Sequence, residues 1–301
     1  MAVAYLEARK KGGRTYYYAK RSLRVDGKVT TRTVAYLGTD KKDAEQKLAV
    51  LNNPPLFTEK EEMRLKGVLS KYLRFKKSLD PITEEEVEKD FTILFVNETN
   101  HLEGSTFTVK ETRMLLEDNI TPDGKKLREV YEQVNTKKLF DRHKKKRFAI
   151  TEGDIISMHE IFVQNIDTRT GYRTRAVRIL GSATKTSPPE YVKADVRRLI
   201  KWYTAHKTVL HPVALAALFH AKFEQIHPFA DGNGRVGRFI VHVLLDRTMP
   251  ALFPDRTRYL DALEASQNRP LDSSGREDFD RILDYFVYAH ERTWDRFFAE
   301  R

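Results

Sequence analysis

The chain contains no cysteine in its 301 residues, which excludes disulfides, thiolate nucleophiles and cysteine-ligated metal centres together. It also lacks any apolar run long enough to span a bilayer, and its first residues, MAVAYLE, lack a charged region followed by an apolar stretch. No repeat or low-complexity tract is present. These absences predict a soluble, cytoplasmic protein with no membrane partner. What the chain has is charge. Asp, Glu, Lys and Arg make up 32% of it, with a net charge of +11, while the 40% hydrophobic content suffices for one large domain plus a smaller one.

The excess charge is concentrated at the front. Residues 1–38 hold nine Lys or Arg against Glu7 and Asp26. Extended runs at 3–9, 15–24 and 29–37 are punctuated by Lys11-Gly12-Gly13-Arg14 and by Val25-Asp26-Gly27-Lys28, the second an Asp-Gly hairpin signal. Together they predict a three-stranded antiparallel meander. Strand alternation puts Tyr16 and Tyr18 on one face and Tyr17 on the other. The module loosely resembles the basic N-terminal β modules of transposases and integrases, which implies duplex DNA as a partner, with Lys10, Lys11, Arg14, Lys20, Arg21 and Arg24 as candidate contacts. The alternatives are a tyrosine face packed against the next helix, or recognition of an acidic protein.

Helices are predicted over 40–51 and 58–77, separated by Asn52-Asn53-Pro54-Pro55. The expected division is a β module over 1–39, a helical connector over 40–82 and a larger, mainly helical domain over 83–301. Further helices are expected around 125–143, over 151–163, after Pro189 and after Ser273. Met158-His159-Glu160 is read as helix surface, and the basic run His143 to Arg147 as a solvated helix end.

The densest chemistry lies at His227-Pro-Phe-Ala-Asp-Gly-Asn-Gly-Arg-Val-Gly-Arg238. The preceding segment, VALAALFHAKFEQI, reads as a buried helix stopped at the Ile-His-Pro junction, and Val236, Ile240, Val243 and Leu244 recur at helical spacing after it. The segment is therefore helix, loop, helix, and glycines at the start of a helix attract anions. Gly232 to Gly237 also fits G-x-G-x-x-G, but the dinucleotide fingerprint needs a strand before it, and a helix precedes these glycines. Pairing His220 with His227 around zinc lacks a third and fourth ligand.

The segment resembles the signature of the Fic family, H-P-F-x-D/E-G-N-G-R-x-x-R, and matches it at every fixed position. The resemblance implies a mainly α Fic core with a β-hairpin flap, and an adenylyltransferase that moves AMP from ATP to a Ser, Thr or Tyr hydroxyl of a target protein, itself included. In that chemistry the hydroxyl loses a proton as it attacks the α-phosphate, which suits a loop histidine, His227. Mg²⁺ or Mn²⁺ beside the phosphates needs few protein oxygens, and Asp231 is the expected ligand. Gly232, Asn233 and Gly234 would bind the α- and β-phosphates, Arg235 would neutralise charge, and Arg238 would take the γ-phosphate.

Three further regions extend the resemblance. The stretch 172–189 is similar to the Fic flap, which docks an extended target segment by backbone pairing, with Arg173, Val177, Ile179 and Gly181 as docking candidates. Tyr259, Leu263 and Asn268 lie where the family supplies residues near adenine. Thr99-Asn-His-Leu-Glu103-Gly104 fits the family's S/T-x-x-x-E-G/N inhibitory motif. It falls at the end of an expected helix over 84–102, with Thr83 as N-cap and Val87, Phe91, Leu94, Phe95 and Leu102 as its apolar stripe. Glu103 is then expected to occupy Arg238. Other readings are removal of AMP, another nucleotide donor, or a DNA-binding regulator whose Fic-like domain senses nucleotide.

Overall fold

The computed structural model describes residues 4–25, 28–52, 55–179 and 182–299. The chain divides into two compact units, 1–56 and 57–301. In the first, β1 (Tyr5–Lys11), β2 (Arg14–Val25) and β3 (Lys28–Gly38) form an antiparallel sheet in the order β1-β2-β3, and α1 (Lys41–Asn52) follows. Gly12 and Gly13 close the first hairpin with left-handed φ of 56° and 77°, which glycine adopts without a Cβ clash. The Asp26-Gly27 turn lies outside the described residues.

Helix α1 covers one face of the sheet. Ala4, Ala19, Leu37 and Ala44 form the core there, with Leu6, Tyr17, Ala35 and Leu48 packed around them. Small side chains let the helix approach the sheet. Asn52 ties the two ends of the unit together, its Nδ2 donating to the Ala4 carbonyl and its Oδ1 accepting from the Ala4 N–H, each at 2.8 Å. The module expected to end at residue 39 therefore takes in α1, whose Ala44 and Leu48 pack in the core of the sheet.

The second unit is helical: α2 (Glu59–Ser78), α3 (Pro81–His101), α4 (Val109–Glu117), α5 (Leu127–Lys145), α6 (Glu152–Val163), α7 (Val192–His206), α8 (Pro212–Ile226), α9 (Asn233–Leu244), α10 (Arg256–Ala265) and α11 (Arg276–Thr293), closed by a π turn over Trp294–Phe298. Sequence periodicity did not separate out α4 or α10, the two shortest of these. Helix α2, expected as part of a connector, packs on α11 and belongs to this unit. Arg276 pairs with its Glu61 at 2.7 Å. Helix α8 is the axis of the fold, buried from Val213 to Ile226 except at Gln225 and flanked by α7, α9 and α11.

Two local expectations are corrected. Helix α3 starts earlier than expected, because Asp80, not Thr83, is its N-cap, accepting from the N–H groups of Ile82 and Thr83, and Pro81 fills the first helical position. Over 172–189 the described residues carry no strand pairing, so the expected hairpin is a pair of irregular arms. Their ladder groups go to side chains instead. The N–H of Ala183 donates to Glu264 Oε1 at 2.8 Å, that of Thr184 to Ser182 Oγ at 3.1 Å and that of Lys185 to Asn268 Oδ1 at 2.8 Å.

Candidate active site at the start of helix α9

Pro228 disfavours helical backbone at the residue before it, and α8 accordingly ends at His227, which takes left-handed φ and ψ of 51° and 61°. The loop that follows is held from inside. Phe229 is fully buried and stacks on His159 with ring centroids 3.9 Å apart. Asn233 closes the turn with both ends of its amide, Nδ2 donating to the Phe229 carbonyl at 2.9 Å and Oδ1 accepting the Phe229 N–H at 2.8 Å. Asn233, expected among the phosphate-binding residues, thus gives one of its two amide protons to the loop. Gly232 has φ of 79°, and a Cβ there would lie 2.7 Å from the Phe162 ring, so glycine is required on two counts.

His159, expected on a helix surface, is fully buried, and its Nε2 meets the Asp231 carbonyl at 3.2 Å. Burial lowers its pKa to about 4, so the neutral ring donates from Nε2. His220 is equally buried and bonds the Tyr259 hydroxyl at 2.8 Å. Tyr259 and Leu263 are both buried, and Tyr259 stands behind Arg238, which reaches its Oη at 3.4 Å. Asn268 serves the second arm, as described. Of these three candidates, Tyr259 and Leu263 are packed inside and Asn268 is exposed.

The His227 ring sits with Nδ1 3.3 Å from the Glu224 carbonyl, which fixes Nδ1–H as donor and leaves the Nε2 lone pair free. Burial lowers the His227 pKa; the Glu224 carbonyl opposes this, the Arg173 charge adds to it, and Glu103 and Asp231 oppose it. The ring is thus a neutral acceptor at neutral pH. The Glu224 carboxyl lies 3.9 Å from Nδ1, and burial raises its pKa to about 8, which keeps it protonated and spares the ring a neighbouring charge.

Asp231 accepts from Gly232 N–H at 2.6 Å through Oδ1 and from Arg128 through Oδ2. Burial acts to raise its pKa, but Arg235, Arg128 and the Gly232 N–H outweigh it, so the group is an anion. Arg235 lies over the Phe162 ring at 4.5 Å and pairs with Glu132 at 2.7 Å, and Glu132 also accepts from Arg128 at 3.0 Å. Sequence reading missed Arg128 and Glu132, although their four-residue spacing on α5 was the available signal. Among the described residues no group of three or more His, Asp or Glu could cage a metal. One carboxylate beside a run of N–H donors fits Mg²⁺, which keeps water and phosphate oxygens as its other ligands.

The N–H groups of Asn233, Gly234 and Arg235 open α9 and have no intrahelical acceptor. Above them stands Glu103. A Cβ placed on Gly234 would lie 2.4 Å from Glu103 Oε1 and 3.0 Å from Arg238 Nη1. Arg238 is 2% exposed. Its Nε donates to Thr99 Oγ1 at 2.7 Å, and its Nη2 to the Thr99 carbonyl at 2.9 Å and to Glu103 Oε1 at 2.7 Å. Burial opposes ionisation of Glu103, but the charges of Arg238 and Arg235 and the hydrogen bond from Arg238 lower its pKa overall. Left-handed Gly104, with φ of 97°, ends the turn that presents this carboxylate. Thr99, Glu103 and Arg238, separated by up to 139 residues, are thus brought together.

Of the flap candidates, Val177 and Ile179 are half-buried on the first arm, and Gly181 lies outside the described residues. Arg173 differs from expectation. It is 5% exposed and turned inward, onto the backbone of the catalytic loop.

Residues 149–245, from just before α6 through α9, match the Fic/DOC family model. The protein adenylyltransferase Fic of Drosophila sechellia is 29% identical over 199 residues, covering 62% of this chain and 40% of the relative. The protein adenylyltransferase of Caenorhabditis elegans is 31% identical over 178 residues, covering 55% and 34%. The chain spans less than half the length of these curated relatives. A Fic domain-containing signaling protein from Bacteroides thetaiotaomicron superposes with a TM-score of 0.67 at 26% identity, over 77% of this chain and 94% of that one. Family match, fold and the loop from His227 to Arg238 agree, and the chain carries a Fic/DOC family domain.

Proposed function

We propose that this protein transfers AMP from ATP to a hydroxyl side chain of a protein, and that Glu103 holds the activity in check. The observation that carries the reading is the Glu103–Arg238 pair, whose carboxylate stands over Gly234, where the opening N–H groups of α9 would receive phosphate. A target hydroxyl approaching His227 Nε2 gives up its proton there, its oxygen bonds to the α-phosphorus, the bond to the β-phosphate oxygen breaks, and pyrophosphate leaves. The α9 start and Arg238 hold the phosphates in line once Glu103 withdraws. Mg²⁺ or Mn²⁺ on Asp231 would supply charge neutralisation, with Arg128 giving up that carboxylate. For a protein that uses ATP we infer a cytoplasmic location.

Incubation with ATP labelled at the α-phosphate tests this reading. Label on the Glu103→Gly protein, weak on the parent and absent when His227→Ala is added, is the expected result, with self-modification as the readout. No label in any form, despite ATP binding, would sink transfer; release of AMP from a modified protein would favour the reverse reaction.

A second reading concerns the sheet. Its uncovered face groups Tyr16, Tyr18 and Tyr36, with Tyr36 5.3 Å from Tyr18 and the Arg9 guanidinium 5.2 Å from Tyr18. Strand register puts Lys11, Arg14 and Lys20 on this same face, and Lys10 and Arg21 on the one that α1 covers; the side chain of Arg24 lies outside the described residues. Tyrosines set among cations favour a nucleic-acid backbone, and we infer duplex DNA as the partner of this face. Binding that weakens steeply with salt supports it, and salt-independent or absent binding defeats it.

A further inference from the structure

Arg173 is a buried cation without a buried anion. Among the described residues no carboxylate lies within ion-pair distance of it, and burial lowers its pKa. Its partners are backbone carbonyls. Nε donates to His227 at 2.7 Å, Nη2 to Ile226 at 3.3 Å and to Ser187, and Nη1 to Arg175 at 2.9 Å. Its own N–H donates to Pro228 at 3.0 Å. One residue therefore takes three successive carbonyls of the catalytic loop and one from each arm of the 172–189 segment. The missing counter-ion is supplied by the end of α8, where carbonyls without helical partners give a negative pole that a cation stabilises.

We propose that Arg173 is a positioning residue that sets the acceptor-docking arms in fixed register against His227. The proposal rests on the reading of His227 as the base and of the arms as the acceptor's dock. An acceptor segment laid along the arms inherits their offset from the base only if both are fastened to one rigid point, and Arg173 is such a point. The outer part of the second arm is fastened separately, through Glu264, Gln267 and Asn268. Loss of Arg173 therefore leaves that part docked and Ser187 held by its hydroxyl bond to Asp195, but removes the ties that join the arms at Arg175 and Ser187 to the loop at 226–228. Residues 232–238, where nucleotide would bind, are held separately, through the Asn233 bonds to Phe229.

The test compares Arg173→Gln and Arg173→Lys in the Glu103→Gly background, reading AMP self-transfer, ATP affinity and backbone hydrogen exchange. Arg173→Gln should slow transfer by roughly 30- to 100-fold, the cost of misplacing reacting groups by about 1 Å, with ATP affinity within about threefold of the parent. Arg173→Lys should recover part of the rate, since an ammonium keeps the charge but lacks the planar fork. Exchange should quicken at 174–178 and 227–230 together. An unchanged rate overturns the proposal, and so does a rate loss matched by an equal loss of ATP affinity, or faster exchange in the arms with the loop still protected. If Arg173→Gln does not fold, Arg173→Lys carries the same comparison. If the Glu103→Gly parent itself carries no label, the transfer reading has failed, and hydrogen exchange alone decides whether Arg173 joins the arms to the loop.

Discussion

Two buried arginines flank the catalytic loop, and they are satisfied in opposite ways. Arg238, past the start of α9, spends one Nη2 bond on a carboxylate, Glu103, which the proposed function has a phosphate replace. Arg173, beside the end of α8, spends its side-chain bonds on carbonyls that belong to the fold. Under the proposed function a phosphate would displace Glu103 from Arg238, because one anion would substitute for another without uncovering the cation. Nothing comparable can displace the carbonyls on Arg173. The contrast separates an arginine kept for exchange from one built into the frame.

The contrast breaks most severely at Arg238. Replacing it with Ala should weaken ATP binding by roughly 10- to 100-fold, the worth of hydrogen bonds to a charged group, and should abolish the effect of the Glu103→Gly substitution on that binding; titration calorimetry checks both. Equal ATP affinity would mean that Arg238 serves only Glu103.

Next in size is Glu224, the second carboxyl near Arg238. Its pKa is about 8 in the fold, against an ordinary carboxylate in the unfolded chain. Between these values the folded state binds more protons than the unfolded one, so this group's contribution falls as pH rises and is fully favourable only below the unfolded pKa. Glu224→Gln removes that slope. Denaturation at pH 6 and pH 8 should show the variant gaining about 2 kcal/mol relative to the parent over that span. A constant difference would place an ionised carboxylate beside Glu103 and Arg238 and overturn the assignment of Glu224 as a neutral acid.

Smaller effects sharpen the comparison further. Arg128 is half exposed and holds Asp231, an exchangeable contact like Glu103 on Arg238. Arg128→Ala should tighten Mn²⁺ binding in the presence of ADP by roughly two- to fivefold, within the range of exposed ion pairs; electron paramagnetic resonance of free Mn²⁺ reads it, and weaker binding would make Arg128 a partner of the nucleotide instead. On the sheet, Tyr18→Ala should weaken duplex binding by about fivefold, in the range of one lost ring contact, without altering AMP transfer.

The fastened half of this contrast was the harder half to read from sequence. The loop from His227 to Arg238 was legible because its signals are local: an apolar helix, a proline that stops it, and glycines that permit a tight turn. Glu103 and Thr99 were legible through a motif at a helix end. Arg173 is a docking candidate through the flap resemblance, and only the fold puts the α8 carbonyls against it. His159 and Glu132 were hidden for the same reason, each acting on a residue about 70 to 100 positions away. Asp80 displaced Thr83 as the cap of α3 because Pro81 after it already suits a first helical position.

Asn233 is followed by glycine, the pairing in which an asparagine most readily cyclises onto the next amide nitrogen and ages to aspartate or isoaspartate. That reaction requires the side-chain carbonyl carbon to swing onto the Gly234 nitrogen. Both ends of the Asn233 amide are tied to Phe229, and Gly234 is already wound into α9. The folded loop is therefore protected against the spontaneous chemistry that its own sequence invites, and the damage should accumulate only in molecules that have opened.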